Sequence, residues 1–102
     1  MDLGSFGGLV SSGVTVVDFW ADWCGACKAL FPLLDSLELK YKDKGVRFVR
    51  LNAVDSSVVF SHFGVSSLPY LYVFRDGVLV QSVCGFVNRD SIVGAIESAL
   101  SS

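Results

Sequence analysis

Seven consecutive residues, Val14-Thr15-Val16-Val17-Asp18-Phe19-Trp20, form an apolar, β-branched run that suits a strand buried on both faces. Beyond it Ala29, Leu30, Leu33, Leu34, Leu37 and Tyr41 fall on one stripe at helical spacing, which predicts a helix to about Lys42. Lys42-Asp43-Lys44-Gly45 ends that helix, with Gly45 available for a left-handed cap. Val46-Arg47-Phe48-Val49-Arg50-Leu51 then reads as a second strand. Strand, helix and strand in alternation imply a parallel pair joined by a right-handed crossover, so the chain is committed to an α/β architecture.

The remaining pattern extends that frame. Asn52 to Ser57 reads as a loop, and Val58 to Phe63 as a short helix closed by Gly64. Tyr70 to Phe74 and Val78 to Val83 read as strands separated by Arg75-Asp76-Gly77. Asp-Gly between apolar runs favours a type I′ hairpin turn, which needs positive φ at both central residues. A last helix, about Asp90 to Leu100, is expected to bury Ile92, Val93, Ile96 and Leu100, with Asn88 or Asp90 as its N-cap. Ahead of Val14, a helix using Leu3, Phe6, Leu9 and Val10 is opposed by Gly7 and Gly8, each costing roughly 1 kcal/mol against alanine. Pro32 lies inside the long helix and predicts a kink near residues 28 to 32.

Composition removes several classes of function. A chain of 102 residues, 52% hydrophobic and 18% charged, is expected to form one globular domain over residues 1–102. Its mean hydropathy of +0.56 raises the question of a membrane segment. The uncharged run Leu3 to Val17 is too rich in glycine and serine to span a bilayer, which takes about 20 mostly apolar residues. A net charge of −2 gives no electrostatic reason to expect nucleic acid. The start is acidic at Asp2 and the first basic residue is Lys28, unlike a secretory or mitochondrial leader, so a cytoplasmic location is expected.

Three cysteines are too few for a disulfide scaffold, and two of them stand as Cys24-Gly25-Ala26-Cys27 at the junction of the first strand and the long helix. A cysteine at a helix N-terminus faces unpaired N–H groups and the positive end of the helix dipole, which favour the reactive thiolate. Cys24, at the exposed helix start, is expected to be the attacking nucleophile, and Cys27, one turn further in, the residue that resolves the mixed disulfide. The alternative is a zinc pair, but tetrahedral zinc wants four ligands and the remaining candidates, Cys84 and His62, lack a matching spacing. Asp18 interrupts an apolar strand, where burial would raise its pKa and let it exchange a proton with Cys27. A carboxylate at a strand end, satisfied by water or by Arg50, explains the same pattern. Pro69 begins a strand, where proline is tolerated without any catalytic role. Cys84 is read as a buried small hydrophobe, or else as a regulatory thiol.

Asp18-Phe19-Trp20-Ala21-Asp22-Trp23-Cys24-Gly25-Ala26-Cys27-Lys28 resembles the active-site signature of the thioredoxin family, usually Trp-Cys-Gly-Pro-Cys-Lys. The resemblance extends to Pro32, Leu51-Asn52, Leu68-Pro69, Gly77 and Gly85, and covers the chain from about residue 14 to its end. It implies a thioredoxin fold, a mixed sheet of about four strands flanked by helices. It also implies reduction of protein disulfides without a bound cofactor, by a monomer whose Cys24–Cys27 dithiol is restored by a thioredoxin reductase or another thiol donor. Asp18 becomes the family's proton-transfer carboxylate, and Arg50 takes the place of a lysine often found near it. Leu68-Pro69 becomes a cis bond that presents backbone to an extended substrate. Trp20, Trp23, Leu68, Gly85 and Phe86 become an apolar docking surface around the dithiol.

This chain departs from the family pattern in three places. Ala26 replaces the usual proline between the cysteines, and Tyr70 follows Pro69 where threonine is common. The residues before Val14 are too few for the family's first strand and first helix together, so the N-terminal edge strand is expected to be missing. Ser66-Ser67-Leu68-Pro69-Tyr70 is also similar to the thioredoxin-like domains joined to monothiol glutaredoxins. That similarity supports a second class of function, a binding or adaptor module with little reductase turnover.

Overall fold

The computed structural model describes residues 1–85 and 87–102. The chain opens with helix α1 (Leu3–Val10), which forms despite Gly7 and Gly8 for two local reasons. The Asp2 carboxylate accepts from the Ser5 N–H at 2.7 Å as an N-cap, and Phe6 and Val10 are buried. Phe6 packs edge-on against Phe63 and Phe74, so burial offsets the poor helix propensity of the glycines.

Strand β1 (Val14–Trp20) leads to helix α2 (Gly25–Tyr41), a 3-10 turn (Lys42–Lys44) and strand β2 (Arg47–Asn52). Helix α2 runs through Pro32 as one segment, and Gly45 closes the 3-10 turn at φ 73°, donating to Lys42. Helix α3 (Ser57–Phe63), strands β3 (Tyr70–Arg75) and β4 (Val78–Cys84) and helix α4 (Arg89–Ser101) complete the order. The hairpin turn has φ of 50° at Asp76 and 83° at Gly77, the positive values that Asp-Gly favours. Asp76 ties this turn to the α1–β1 link, since its carboxylate accepts from Gly13 N–H at 2.8 Å and its own N–H donates to the Gly13 carbonyl. Asn88 caps α4 by accepting from the Ser91 N–H, while the Ser91 hydroxyl accepts from the Asn88 N–H.

The four strands form one mixed sheet in the order β2-β1-β3-β4. β1 pairs parallel with β2 and antiparallel with β3, and β3 pairs antiparallel with β4. Two apolar clusters cover its faces. Val14 and Val16 face α2 and α4 through Leu34, Leu37, Tyr41, Ile92 and Ile96. Val17 and Phe19 face α1 and α3, where Phe19 meets Phe60, Tyr70 and Tyr72 edge-on. Parity along β1 therefore puts Asp18 on the α2 side.

Several sequence expectations shift. Ala29 is exposed, because the stripe that α2 buries runs through Cys27, Leu34, Leu37 and Tyr41 and leaves Ala29 to one side. Asn52 belongs to β2 rather than to the loop, being paired with Trp20. In α4 the buried positions are Ile92, Ala95, Ile96 and Ala99, and Val93 and Leu100 are only partly covered. Cys84 is exposed at the end of β4.

Candidate active site

Three segments meet at one end of the sheet, and the strand registers bring them there. Phe19 lies opposite Tyr70, so Trp20 and the turn beyond it abut Pro69. Tyr70 lies opposite Cys84, so Gly85 abuts the same proline. The turn from β1 into α2 is fixed by Cys24 N–H donating to the Ala21 carbonyl at 3.0 Å. The Leu68-Pro69 peptide bond is cis. The expectation for Phe86 falls outside the described residues.

Cys24 is the N-cap of α2 and is bonded to Cys27 in a disulfide. Its Sγ accepts from the Cys27 N–H at 3.1 Å, so the sulfur already occupies the place where a capping oxygen would sit. Cys24 is partly exposed and Cys27 fully buried, so the two cysteines stand unequally to solvent and to a partner. Trp23 stands 72% exposed beside the pair, whereas Trp20 is half-buried with its ring edge-on to Phe31. Leu68 and Pro69 are half-buried, and Gly85 is exposed with φ 80°. A large exposed aromatic next to a reactive sulfur and a half-covered backbone segment suits docking of another protein chain.

Gly25 and Ala26 occupy the first two helical positions and are exposed. Alanine keeps a backbone N–H there that proline would lack. That donor faces the helix start where negative charge develops when Cys24 becomes a thiolate. The Ala26→Pro variant is therefore expected to be the stronger reductant, its potential lower by about 30 mV, the equivalent of about 1.4 kcal/mol for a two-electron couple. Equilibration with glutathione measures it, and an unchanged or higher potential in Ala26→Pro contradicts this account of the helix start.

Asp18 is 2% exposed, and neither carboxylate oxygen has a hydrogen-bond partner among the described residues. Burial pushes its pKa up to about 6, and the positive charge of Arg50 opposes that rise. Arg50 lies beside Asp18 in the parallel register but does not pair with it. Its guanidinium instead bonds the Asp35 carboxylate and stacks over the Phe31 ring at 4.3 Å. The expected partnership of Arg50 and Asp18 is thus reduced to a field across a gap. Asp35 and Phe31 are the residues that sequence reasoning missed, because only the crossover of α2 over β2 brings them to Arg50.

Among the described residues, no group of three or more His, Cys, Asp or Glu side chains could hold a metal ion. His62 is exposed on α3, edge-on to Phe63. Tyr70 is half-buried and edge-on to Phe19 and Tyr72.

Residues 4–98 match the family described as Thioredoxin. The chain is 39% identical over 92 residues to the chloroplastic M-type thioredoxin of Chlamydomonas reinhardtii, covering 90% of this chain and 65% of that protein. It is 36% identical over 92 residues to thioredoxin 1 of Synechococcus elongatus, covering 90% of this chain and 85% of the relative. The crystal structure of oxidised mitochondrial thioredoxin 3 from Saccharomyces cerevisiae superposes with a TM-score of 0.86 at 31% identity, over 95% of this chain and 90% of that one.

Proposed function

We propose, from the premise that the chain belongs to the thioredoxin family, a division of labour within a dithiol that reduces protein disulfides. The protein is a thiol-disulfide oxidoreductase, and its electrons travel on the Cys24–Cys27 pair with no bound cofactor. The observation that carries the assignment of roles is the disulfide at the start of α2, with Cys24 partly exposed and Cys27 fully buried. In the reduced protein the Cys24 thiolate attacks a sulfur of the substrate disulfide, forming a mixed disulfide and releasing the first substrate thiolate. The Cys27 thiol loses its proton to Asp18, and the resulting thiolate attacks Cys24 Sγ. The second substrate thiolate leaves, and the Cys24–Cys27 disulfide closes.

Asp18 suits the role of acceptor because its pKa of about 6 lies between that of an ordinary carboxylate and that of a thiol. Leu68 and cis Pro69 offer backbone to an extended substrate, and Trp20, Trp23 and Gly85 frame the approach. Gly25 and Ala26 form the exposed first turn of α2 beside the pair, and Arg50 tempers the charge of Asp18 from across the register.

A thioredoxin reductase, or another thiol donor, is the proposed source of electrons. No helix of the described residues is long and apolar enough to cross a membrane. A cytoplasmic setting is proposed because a dithiol that reduces others needs a compartment that keeps it reduced. The adaptor reading is disfavoured by the intact pair: two cysteines joined at a helix start have no part in a purely recruiting surface.

Turbidity from insulin reduction tests the reading. With dithiothreitol as donor, the protein is expected to shorten the lag of insulin B-chain precipitation, with turnover proportional to its concentration. A lag equal to that of dithiothreitol alone would leave only the adaptor class.

A further inference from the structure

β2 is an edge strand: on one side it pairs with β1, and among the described residues nothing pairs with it on the other. The Ala53 N–H donates to the Trp20 carbonyl at 2.9 Å, and Trp20 is in register with Asn52, which phases the parallel ladder. Alternate residues of β2 then bond inward, and Phe48 and Arg50 present N–H and C=O groups at the open edge. Beside that edge lies a groove of about 550 Å³ between β2 and the C-terminal turns of α2, with Leu39, Val46, Phe48 and Val49 as its apolar wall. Leu39 is 76% exposed, an uncommon setting for leucine next to unpaired strand backbone.

Charge identifies what fits. The chain is acidic overall, yet five of its eight Lys and Arg residues, Lys40, Lys42, Lys44, Arg47 and Arg50, lie between positions 40 and 50, with Asp43 the only acid among them. Arg50 is paired with Asp35 and Lys44 approaches Glu97, but among the described residues Lys42 and Arg47 form no ion pair with an acid. Both line the groove, where Glu38 is the sole acid. We propose that the β2 edge and its groove are a docking strip for an extended, acidic segment of a partner protein, which adds as another strand of the sheet.

Its backbone would pair with Phe48 and Arg50, its apolar side chains would lie on Leu39 and Phe48, and its carboxylates on the other face would meet Arg47, with Lys42 adding to the positive field of the strip. A second copy of this chain is a poor occupant, because pairing β2 with β2 about a two-fold axis brings two strips of the same basic charge, each with Lys42 and Arg47, side by side. Basic side chains on an edge discourage such self-pairing and still admit the opposite charge. The strip belongs to the opposite edge of the sheet from β4.

The probe is a blocked seven-residue peptide alternating glutamate and valine, titrated into the nitrogen-15-labelled, oxidised protein. The expected result is saturable binding in which the Phe48 and Arg50 amides shift most and exchange with solvent at least about tenfold more slowly. Raising salt should weaken it, and the Lys42→Glu/Arg47→Glu double variant should bind about tenfold or more weakly while reducing insulin at the wild-type rate. If the double variant does not fold, the salt dependence and the exchange map of the wild type carry the test. Equal binding of a lysine–valine peptide, shifts centred on Trp23 and Pro69, or no binding would overturn the proposal. A dimer in sedimentation with β2 amides already protected would overturn it in favour of a second copy.

Discussion

Asp18→Asn is expected to be more stable than the wild type at pH 7.5 by about 3 kcal/mol, with the advantage vanishing at low pH. The sign follows from the direction of the shift. Burial raises the Asp18 pKa from 3.8 to about 6, so between those values the folded state binds more protons than the unfolded state. Stability therefore falls as pH rises through that window, and above it the full cost of holding a desolvated carboxylate is present. Asparagine has the shape of the protonated acid and carries no charge, so it removes the cost where the cost exists and changes little below pH 3.8. Urea unfolding of both oxidised proteins at pH 7.5 and pH 3.5 measures the difference, and an equal gain at both pH values would contradict it. The same substitution should slow insulin reduction and erase an inflection near pH 6 in its rate profile, because it removes the proposed acceptor for the Cys27 proton. A buried carboxylate without a hydrogen bond is thus a stability defect retained at the reacting end of the molecule.

The parts of this fold that can be read from sequence are those where local chemistry and tertiary need agree. Val14–Trp20 needs no context, because a β-branched run flanked by turn residues is a strand wherever it lies. The Asp76-Gly77 turn is equally legible, since few residue pairs accept positive φ at both positions. The dithiol could be placed at the start of α2 because a strand run and a helical stripe bracket it.

What escapes is set by contacts distant in sequence. Helix α1 looks marginal from Gly7 and Gly8, and it is the burial of Phe6 against Phe63 and Phe74 that decides it. Ala29 fits the apolar stripe by type, yet a small error in helical phase puts it in solvent. Arg50 looks like the natural partner of Asp18 because the two strands are adjacent. Its choice of Asp35 depends on α2 crossing above β2, and no spacing in the sequence encodes that distance. The consequence is chemical: with Arg50 engaged elsewhere, none of the described residues pairs with Asp18 and its pKa stays high.

The second large effect separates the two cysteines. Cys24→Ser is expected to lose insulin reduction by a factor of about a thousand or more, because a serine hydroxyl is not ionised at neutral pH and forms no disulfide. Cys27→Ser should lose turnover to a similar degree by a different route. Its Cys24 remains at the start of α2 with the N–H groups that stabilise a thiolate, so the first attack proceeds. The mixed disulfide then has no neighbouring thiol to resolve it, and the protein accumulates covalently bound to its substrate. Mass spectrometry of each variant, mixed in excess with an oxidised substrate and quenched with acid, distinguishes the cases: a disulfide adduct for Cys27→Ser and none for Cys24→Ser. Adducts on Cys24→Ser through Cys27 would reverse the assignment, and Cys84, exposed at the end of β4, is excluded as their source by repeating the measurement in a Cys84→Ser background. The expected asymmetry rests on burial, because a substrate disulfide approaches the partly exposed Cys24 more readily than the enclosed Cys27.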